Sequence, residues 1–498
     1  MDSARGRFAT LESKRSGLLT RCERYAELTI RSVLPRSGYD EGQDSAPHDL
    51  QSVGAAAVNN LVNKMMLAMF APSRPFMRYE LPRKQKEAML SALDLSEEKL
   101  KEALSALEMD SVKELDSIAA RPKLYDLMTQ LVVTGNALRY MDGDTMRILS
   151  MRNYVGRRNA KGESVEIIIR EKVTPDDLDE EVRPFCTKTG EDEYHYRWFT
   201  RKGDRWTEAQ YIGDNEITLD KYKGDYKLED MPAHHHVWRL PDGSNYGIGH
   251  VEDFSGDFEG LSSLSEAELN GAILASEFRW LANPGGLTRP EDVETSENGD
   301  VIPGQEGDLV LVSAGAVANS IAVVSASADK WTRRIASGFL MTGGMQRDAE
   351  RVTAEEIRLL ASELETALGG VYSRLAVDLQ LPLAYWLMNR IADEKFKKSD
   401  FKPVIITGLD ALSRNGDLEN VRLFVQDVIQ ITTLPPEVSA RLRLDNIFAA
   451  LASGRGLVAN QFVKSEDETQ QEQQGQVEEE QDRNLETIAA QGAAKRAQ

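Results

Sequence analysis

The chain has 498 residues, of which 41% are hydrophobic and 28% are charged, and its formal net charge is −21. This is the composition of a globular protein of about two to four domains, and no run of about 18 apolar residues predicts a membrane span. The acidic balance argues against a protein that coats DNA tightly, because such a surface needs clustered Lys and Arg. The two cysteines, Cys22 and Cys186, are too few for a disulfide framework and fit synthesis in a reducing cytosol.

The first 135 residues predict four helices. Apolar residues at three- and four-residue spacings indicate a single helix over 4–33, ended by Pro35. A strongly apolar helix is expected over 51–70, and a more charged one over 83–118. A fourth helix is expected to begin near Pro122.

Strand signals replace this pattern between about 136 and 237. Two apolar runs flank Asp142-Gly143-Asp144, which predicts a β-hairpin. Further strands are expected over 165–173, 194–200 and 205–212. The sequence therefore predicts a small, mainly antiparallel sheet inserted between helices.

A helix, a β-rich excursion and a returning helix come next. The first helix is expected over about 251–282, where an Asn-Pro-Gly-Gly turn ends it, and its part from residue 256 would be about 40 Å long. The excursion contains a strand at 308–312. The returning helix is expected over about 325–341.

Cationic and apolar side chains separate on the returning helix. Lys330, Arg333 and Arg334 share one face, because they are three and four residues apart. A second, apolar stripe consists of Trp331, Ile335 and Phe339. An ordinary surface helix would show the same pattern, so these stripes indicate a function only together with their neighbours.

A polar, glycine-led segment joins this helix to the following one. Residues 343–351 are more than a connection between helices usually needs, which predicts a projecting loop, with a plain surface turn as the alternative. The next helix is expected to start at Thr353, where Glu356 completes a capping box. Gly369-Gly370 and Pro382 should bend or break its continuation.

The C-terminal part of the chain predicts one more helical unit, at about 418–457. From about residue 464 onward, Gln and Glu dominate and large apolar residues are few. Such a segment cannot bury enough surface to offset its ordering entropy, so the tail is predicted to be disordered.

Motifs for catalysis or metal binding are missing from the sequence. It has no Gly-Lys-Ser/Thr phosphate loop, no Gly-x-Ser-x-Gly elbow and no Cys-x-x-Cys pair. The neighbouring residues His234, His235 and His236 would alternate between the two faces of a strand and cannot easily share one metal. They are expected at a loop or strand edge beside Trp238, and the sequence predicts no catalytic residue, no metal and no cofactor.

Several segments resemble the portal, or head-to-tail connector, proteins of short-tailed bacteriophages. The similarity lies within 52–70, in 130–138 (QLVVTGNAL), in 346–358 (QRDAERVTAEEIR) and within 361–373 (ASELETALGGVYS), together with the turn at 283–286. These blocks are spread over most of the chain, so the resemblance concerns the whole architecture.

The resemblance implies a mainly helical α+β fold, the portal fold with wing, stem, clip and crown. In chain order it implies a wing at 1–246, a first stem helix at 247–282, a clip at 283–323, a second stem helix at 324–341, a tunnel loop at 342–352, a long wing helix at 353–398 and a crown at 399–463. The predicted disordered tail occupies 464–498.

The resemblance also places candidate functional residues. It implies that the tunnel loop narrows a DNA channel, through Gly343, Gly344, Met345, Gln346, Arg347 and Arg351. Lys330, Arg333 and Arg334 are expected to face the same channel. Contacts between neighbouring stems are expected to involve the aromatic residues Phe278, Trp280, Trp331 and Phe339.

Family members form twelve-subunit rings at one capsid vertex, so the resemblance implies a homo-dodecamer that nucleates procapsid assembly. DNA would pass through the ring during packaging and ejection, and the large terminase ATPase and then a tail adaptor protein would dock on it. Double-stranded DNA bound without sequence preference and the major capsid and scaffold proteins are the other implied partners, and no membrane is involved. The protein would be made in the host bacterial cytoplasm and reside in the virion. The alternatives are another head–tail adaptor or a DNA-processing enzyme.

Overall fold

The computed structural model describes residues 3–39, 49–72, 74–80, 97–187, 192–276, 278–313, 317–341, 354–391 and 404–407, with a few isolated positions beyond. The chain divides into two compact units, Met1–Gly408 and Leu409–Gln498. The architecture below is that of the first unit. The helical unit expected at 418–457 is described only at isolated positions, and the tail at 464–498 lies outside the described residues.

Two helices open the chain, α1 (Ala4–Lys14) and α2 (Ser16–Leu28), where the sequence predicted one over 4–33. That prediction was wrong because the chain turns at Arg15, whose side chain is buried. The Arg15 guanidinium lies 5.8 and 5.4 Å from the ring centres of Tyr154 and Tyr246 and donates to the Met151 carbonyl oxygen. The break between α1 and α2 thus coincides with a guanidinium that is held between aromatic faces and a backbone acceptor.

The next helices are α3 (Val53–Met69), α4 (Glu97–Ser117) and α5 (Ala120–Thr134), where the sequence predicted helices. Between α3 and α4 lies the strand β1 (Met77–Glu80), which the sequence did not predict. Apolar residues of α3 are fully buried where the helix meets α5, as its composition predicted. The part of the predicted third helix at 83–96 lies outside the described residues.

A three-stranded antiparallel sheet has the order β10 (Ala233–Val237), β2 (Asn136–Asp142), β3 (Thr145–Leu149). The predicted hairpin is confirmed: β2 pairs with β3 from Leu138–Leu149 to Asp142–Thr145, and Gly143 takes a φ of 58° in the turn. The histidine triplet lies on β10, an edge strand, which also agrees with the sequence.

A second antiparallel sheet completes the β-rich insert. Its strands are β4 (Tyr154–Arg158), β5 (Ser164–Val173), β6 (Glu193–Lys202), β7 (Arg205–Ile212), β8 (Asn215–Glu216) and β9 (Gly224–Lys227), which pairs with β7. Helix α1 packs on this sheet, with Phe8 and Leu11 against Ile168 and Tyr196. The insert is thus two sheets rather than the single one predicted, because β2, β3 and β10 pair among themselves.

The helix–excursion–helix unit comprises α6 (His250–Asp253), α7 (Ser255–Ser276), β11 (Phe278–Ala282), α8 (Pro290–Glu294), β12 (Leu309–Ser313) and α9 (Val317–Gly338). The predicted helix to residue 282 ends instead at Ser276, so α7 is about 33 Å long. The FRWLA sequence of 278–282 is rich in aromatic residues and pairs as a strand with β12. Pairing with a distant strand therefore outweighs the local helical propensity of this segment. Helix α9 begins at Val317, within the segment expected to belong to the clip.

The last helices are α10 (Ala354–Ala367), α11 (Val371–Leu375) and α12 (Leu381–Ile391). The break predicted at Gly369-Gly370 is confirmed by φ values of 61° and 84°. At Pro382 the helix does not break, because a π turn at Ala376–Gln380 leads into α12 and accommodates the missing proline N–H. The strand β13 (Val404–Thr407) then pairs with β1, so the first residues of the expected crown belong to this sheet.

The described fold is mixed α+β and mostly helical, as the sequence predicted. Within the described residues, no helix has the length and apolar character that crossing a bilayer requires. The core lies between α3, α5, α10 and α12 and the β10–β2–β3 sheet.

Candidate functional site: the helical stem and its β excursion

Helices α7 and α9 pack side by side and antiparallel, and we call this pair of helices the stem. Glycines allow their close approach: a Cβ at Gly260 would lie 3.6 Å from the Trp331 ring, and one at Gly271 would lie 3.0 Å from Ile321. At the base of the stem, a Cβ at Gly338 would lie 2.3 Å from the Phe254 ring. These small residues fix how the two helices face each other.

An aromatic cluster closes the base of the stem. Phe339 is fully buried, with its ring centre 5.3 Å from Phe254, 5.5 Å from Phe258 and 4.7 Å from His250. His250 is 2.9 Å from the Gly338 carbonyl oxygen through Nε2, and burial lowers the pKa of its imidazole. Phe339 therefore joins the two helices within one chain, and none of its side chain is left for a neighbouring subunit.

The predicted cationic stripe divides into two groups. Arg334 pairs with Asp257 at 3.0 Å and lies 4.6 Å from the centre of the Trp331 ring, so it connects the two helices of the stem. Lys330 and Arg333 are exposed and form no ion pair with any described residue. Of the three cations of the stripe, Lys330 and Arg333 are thus the two that are exposed without an ion-pair partner among the described residues.

The excursion is organised around one carboxylate. Asp308 accepts hydrogen bonds from the backbone N–H groups of Gln305, Leu287 and Thr288 at 2.9, 2.9 and 3.1 Å, and from the Thr288 hydroxyl at 3.1 Å. These donors, with Gln305 first, lower the pKa of Asp308. A short segment without a large core is thereby held in one shape by a charged acceptor.

Large apolar side chains are exposed on the excursion and near the tip of the stem. On the excursion they are Leu281, Leu287, Val301 and Val310, which are 59, 64, 97 and 50% exposed. On the stem they are Leu269, Ile273 and Val323, at 47, 50 and 67%. Clusters of exposed apolar residues of this kind mark interaction surfaces.

A tight glycine-lined junction connects the stem to the preceding sheets. Gly135 has a φ of 75°, and a Cβ there would lie 2.4 Å from the Gly249 backbone nitrogen. The buried Asn136 side chain accepts from the Gly247 N–H at 2.7 Å and donates to the Gly247 carbonyl oxygen at 2.9 Å. Because of this junction, the end of α5 fixes where the stem begins.

The structure places the remaining predicted site residues as follows. Phe278 and Trp280 lie on β11 rather than on the stem helix, and their side chains are outside the described part of the chain. Trp331 is half-buried between the helices. All the residues that were expected in the tunnel loop lie outside the described part of the chain: Gly343, Gly344, Met345, Gln346, Arg347 and Arg351.

The histidine triplet has the alternating geometry that its sequence predicted. His234 and His236 stack on one face of β10, with ring centres 6.0 Å apart. His235 lies on the other face, 5.2 Å from the Tyr154 ring and 3.3 Å from the Asn136 side-chain oxygen. Burial lowers the pKa of all three, to about 3 for His234. The described residues contain no cluster of His, Cys, Asp and Glu able to hold a metal ion.

Comparison with known proteins decides the family. The profile described as "Bacteriophage head to tail connecting protein" matches residues 1–460. The chain belongs to this family. It is 31% identical to the portal protein of Enterobacteria phage T3 over 84% of this chain and 81% of that one, and 31% identical to the portal protein of Enterobacteria phage SP6 over 94 and 91%.

A third relative, the portal protein of Escherichia phage T7, is 28% identical over 94% of this chain and 90% of its own. Among solved structures, the neck of an empty GTA particle computed with C6 symmetry is similar at a TM-score of 0.39 and 14% identity, over 82% of this chain and 94% of that one. The family assignment identifies the chain as a phage head-to-tail connector, a structural and non-enzymatic protein, and confirms the resemblance seen in the sequence.

Sequence reasoning missed two features of this site. The strand at 278–282 was hidden because its residues continue an apolar helix, although the aromatic residues there are typical of strands. Asp308 was taken only as the start of a strand, and its position beside a Gly- and Pro-rich segment was the available signal for a turn-organising carboxylate.

Proposed function

We propose that copies of this chain close into a dodecameric ring at one capsid vertex, through which duplex DNA enters during packaging and leaves during ejection. The observation that supports it most is the stem: two antiparallel helices that carry an ordered β excursion with exposed apolar side chains, in a chain of the head-to-tail connector family. A ring of such stems would surround a channel.

The parts of the ring follow the implied order, with shifted boundaries. Residues 1–246 would form the wing, α7 and α9 the stem, and 278–313 the clip, which begins earlier than the sequence suggested because β11 belongs to it. The tunnel loop would be 342–352, and the helices from residue 354 would continue the wing. A crown within 399–463 is part of the same proposal.

The partners follow from these positions. The large terminase ATPase would dock on the clip during packaging, and the tail adaptor protein would take its place afterwards. The major capsid and scaffold proteins would contact the wing, where the ring nucleates procapsid assembly. The protein would then be a component of the virion.

The channel needs only weak contacts with DNA. Duplex DNA carries about one charge per 1.7 Å of its axis, so a stem about 33 Å long passes roughly 20 phosphates. The net charge of −21 per chain disfavours adhesion, and a Debye length of about 8 Å restricts what distant charges contribute. A few cationic positions repeated around the ring, Arg347 and Arg351 in the proposed tunnel loop, would guide the duplex without trapping it.

Negative-stain electron microscopy and mass photometry of the purified chain test the ring directly. We expect rings of one size with a central hole, and a protein that stays monomeric under assembly conditions would overturn the proposal.

The channel itself is tested by Arg347→Ala and Arg351→Ala, with Lys161→Ala, in an exposed wing turn, as the matched control. We expect the two arginine variants to form normal rings but to package or retain less DNA than the control. Loss of the rings themselves would show that the two arginines are structural.

A further inference from the structure

The two stem helices carry opposite charge. Helix α7 has four carboxylates and no Lys or Arg, a net −4, whereas α9 has one carboxylate and three cations, a net +2. Within the chain, the ion pair between them is Asp257–Arg334. The other charges of the two helices are therefore available for contacts outside this pairing.

The side of α7 that faces away from α9 is an acidic edge with an apolar tip. Helix α7 contacts α9 through Asp257, Gly260 and Gly271, and at about 100° per residue the opposite side carries Glu259, Glu266, Leu269 and Ile273. Glu259 has one exposed in-chain partner, Arg24 at 3.3 Å. Glu266 is exposed and has no ion-pair partner among the described residues.

The side of α9 that faces away from α7 is a basic edge, also with an apolar tip. Its members recur at three- and four-residue spacings, which keeps them on one face: Val323, Ala326, Lys330 and Arg333. Val323 is 67% exposed, and both cations are exposed without a described ion-pair partner. Each stem thus has one acidic and one basic flank.

We infer that the acidic edge of one copy binds the basic edge of the next copy around the ring. This inference rests on the ring of the proposed function. A closed ring with cyclic symmetry uses two different surfaces of each copy, one for each neighbour, and the two flanks of the stem differ in the required way. The partner is a second copy of this chain because the opposite charges and the exposed apolar tips occur on both edges.

The register within the stem supports this pairing. The contacts between the two helices join Phe254 with Gly338, Asp257 with Arg334, Gly260 with Trp331 and Gly271 with Ile321. Two residues of α7 and α9 that lie at the same level along the stem therefore have sequence numbers whose sum is 591 or 592. In a ring whose stems run parallel to its axis, rotation about that axis moves a copy without raising it, so the neighbour has the same levels. Glu259 of one stem then lies level with Arg333 of the next, and Leu269 with Val323.

Glu266 lies about one helical turn from the level of Lys330, within the reach of two long side chains. The charged and the apolar residues therefore meet their counterparts at the same time. On this basis Lys330 and Arg333 are interface residues, which replaces their expected position facing DNA.

Two charge-reversed variants test the pairing. The first is Lys330→Glu with Arg333→Glu, and the second is Glu259→Lys with Glu266→Lys. We expect each alone to lose rings by about tenfold or more, because like charges then face each other across every interface. Mixing the two variants should restore rings in which they alternate, since each interface again joins opposite charges.

Circular dichroism and thermal unfolding of each variant confirm that the chain still folds, and Lys202→Glu, at the exposed end of strand β6, is the matched control. Native mass spectrometry of the mixture should show equal numbers of the two variants in each ring. Normal rings from either variant alone would overturn the inference, as would a mixture that fails to recover. Absence of rings in the wild-type chain would instead overturn the proposed function.

Discussion

At the scale of single residues, one buried carboxylate of the β-rich insert, that of Glu166, is satisfied by several converging partners. Glu166 is 3% exposed and binds the guanidinium of Arg7 through both carboxylate oxygens, at 2.9 and 2.7 Å. It also accepts from Arg157 at 3.0 Å and from the Trp198 indole at 3.1 Å. Burial acts to raise the pKa of Glu166, but these hydrogen bonds outweigh it and lower the pKa. Helix α1 is thereby attached to the sheet by an ion pair.

Replacing Glu166 by Gln should destabilise the protein by about 3 kcal/mol, because two guanidinium groups lose their buried counter-charge. Urea denaturation at pH 7 measures this change. The control is Glu163→Gln on the neighbouring exposed turn, which should have little effect. Because the folded-state pKa is lowered, the contribution of Glu166 is present above its unfolded pKa and is lost as the pH falls below it. Equal stability of the two variants would contradict this role.

Asp308 has the corresponding role in the excursion. Asp308→Asn should speed hydrogen exchange at the backbone amides of Leu287, Thr288 and Gln305 several-fold, because a neutral acceptor binds them less strongly. Exchange followed by mass spectrometry detects this locally. The control Asp300→Asn removes a carboxylate that accepts from Glu297 and should leave those three amides unchanged. Unaltered exchange in Asp308→Asn would mean that the turn is held by other contacts.

At the scale of elements, the stem depends on the small residues that let its helices meet. A Cβ at Gly338 would overlap the Phe254 ring, so Gly338→Ala should destabilise the protein by about 1–3 kcal/mol. Adding Phe254→Leu should recover part of that loss by making room. Gly256→Ala is the control: it meets open space in α7 and should be neutral or slightly stabilising. Thermal unfolding compares the variants, and a tolerated Gly338→Ala would show that the helices can separate freely.

The sequence predicted elements with local signals and missed those set by distant pairing. Hairpin β2–β3 was predictable because Asp142-Gly143-Asp144 defines its turn, and the break at Gly369-Gly370 because these residues adopt positive φ. The break at Arg15 and the strand β11 were not, since one depends on Tyr154 and Tyr246, which are distant in the sequence, and the other on β12.

The candidate site shows the same division. The residue types and their spacing predicted the cationic stripe of α9. The sequence did not show which of these cations pair with a carboxylate of the same chain, because that depends on the position of α7. Arg334 pairs with Asp257, 77 positions away along the sequence, and a spacing pattern on one helix carries no information about such a partner.

At the scale of the whole molecule, buried neutral histidines connect stability to pH. Burial is the main cause that lowers the pKa of His195, to about 4, and of His234, to about 3. It also lowers the pKa of His235, His236 and His250. The unfolded chain binds protons on these side chains near pH 6.5, whereas the folded chain does not. Stability from these groups is therefore complete above pH 6.5 and decreases as the pH falls toward the folded-state values.

His195 and His234 should each cost about 1.4 kcal/mol of folding free energy for every pH unit below 6.5, down to their folded-state pKa values. Urea unfolding should therefore show a marked loss of stability between pH 7.5 and 5.5, where exposed carboxylates do not yet titrate. Replacing His195 by Gln, which keeps a side chain that can bind Gln210, should reduce this loss by the share of one histidine. Because several histidines lie where the insert's two sheets meet the stem, acid should loosen this junction. Stability that does not change between these pH values would mean that the histidines take up protons without unfolding.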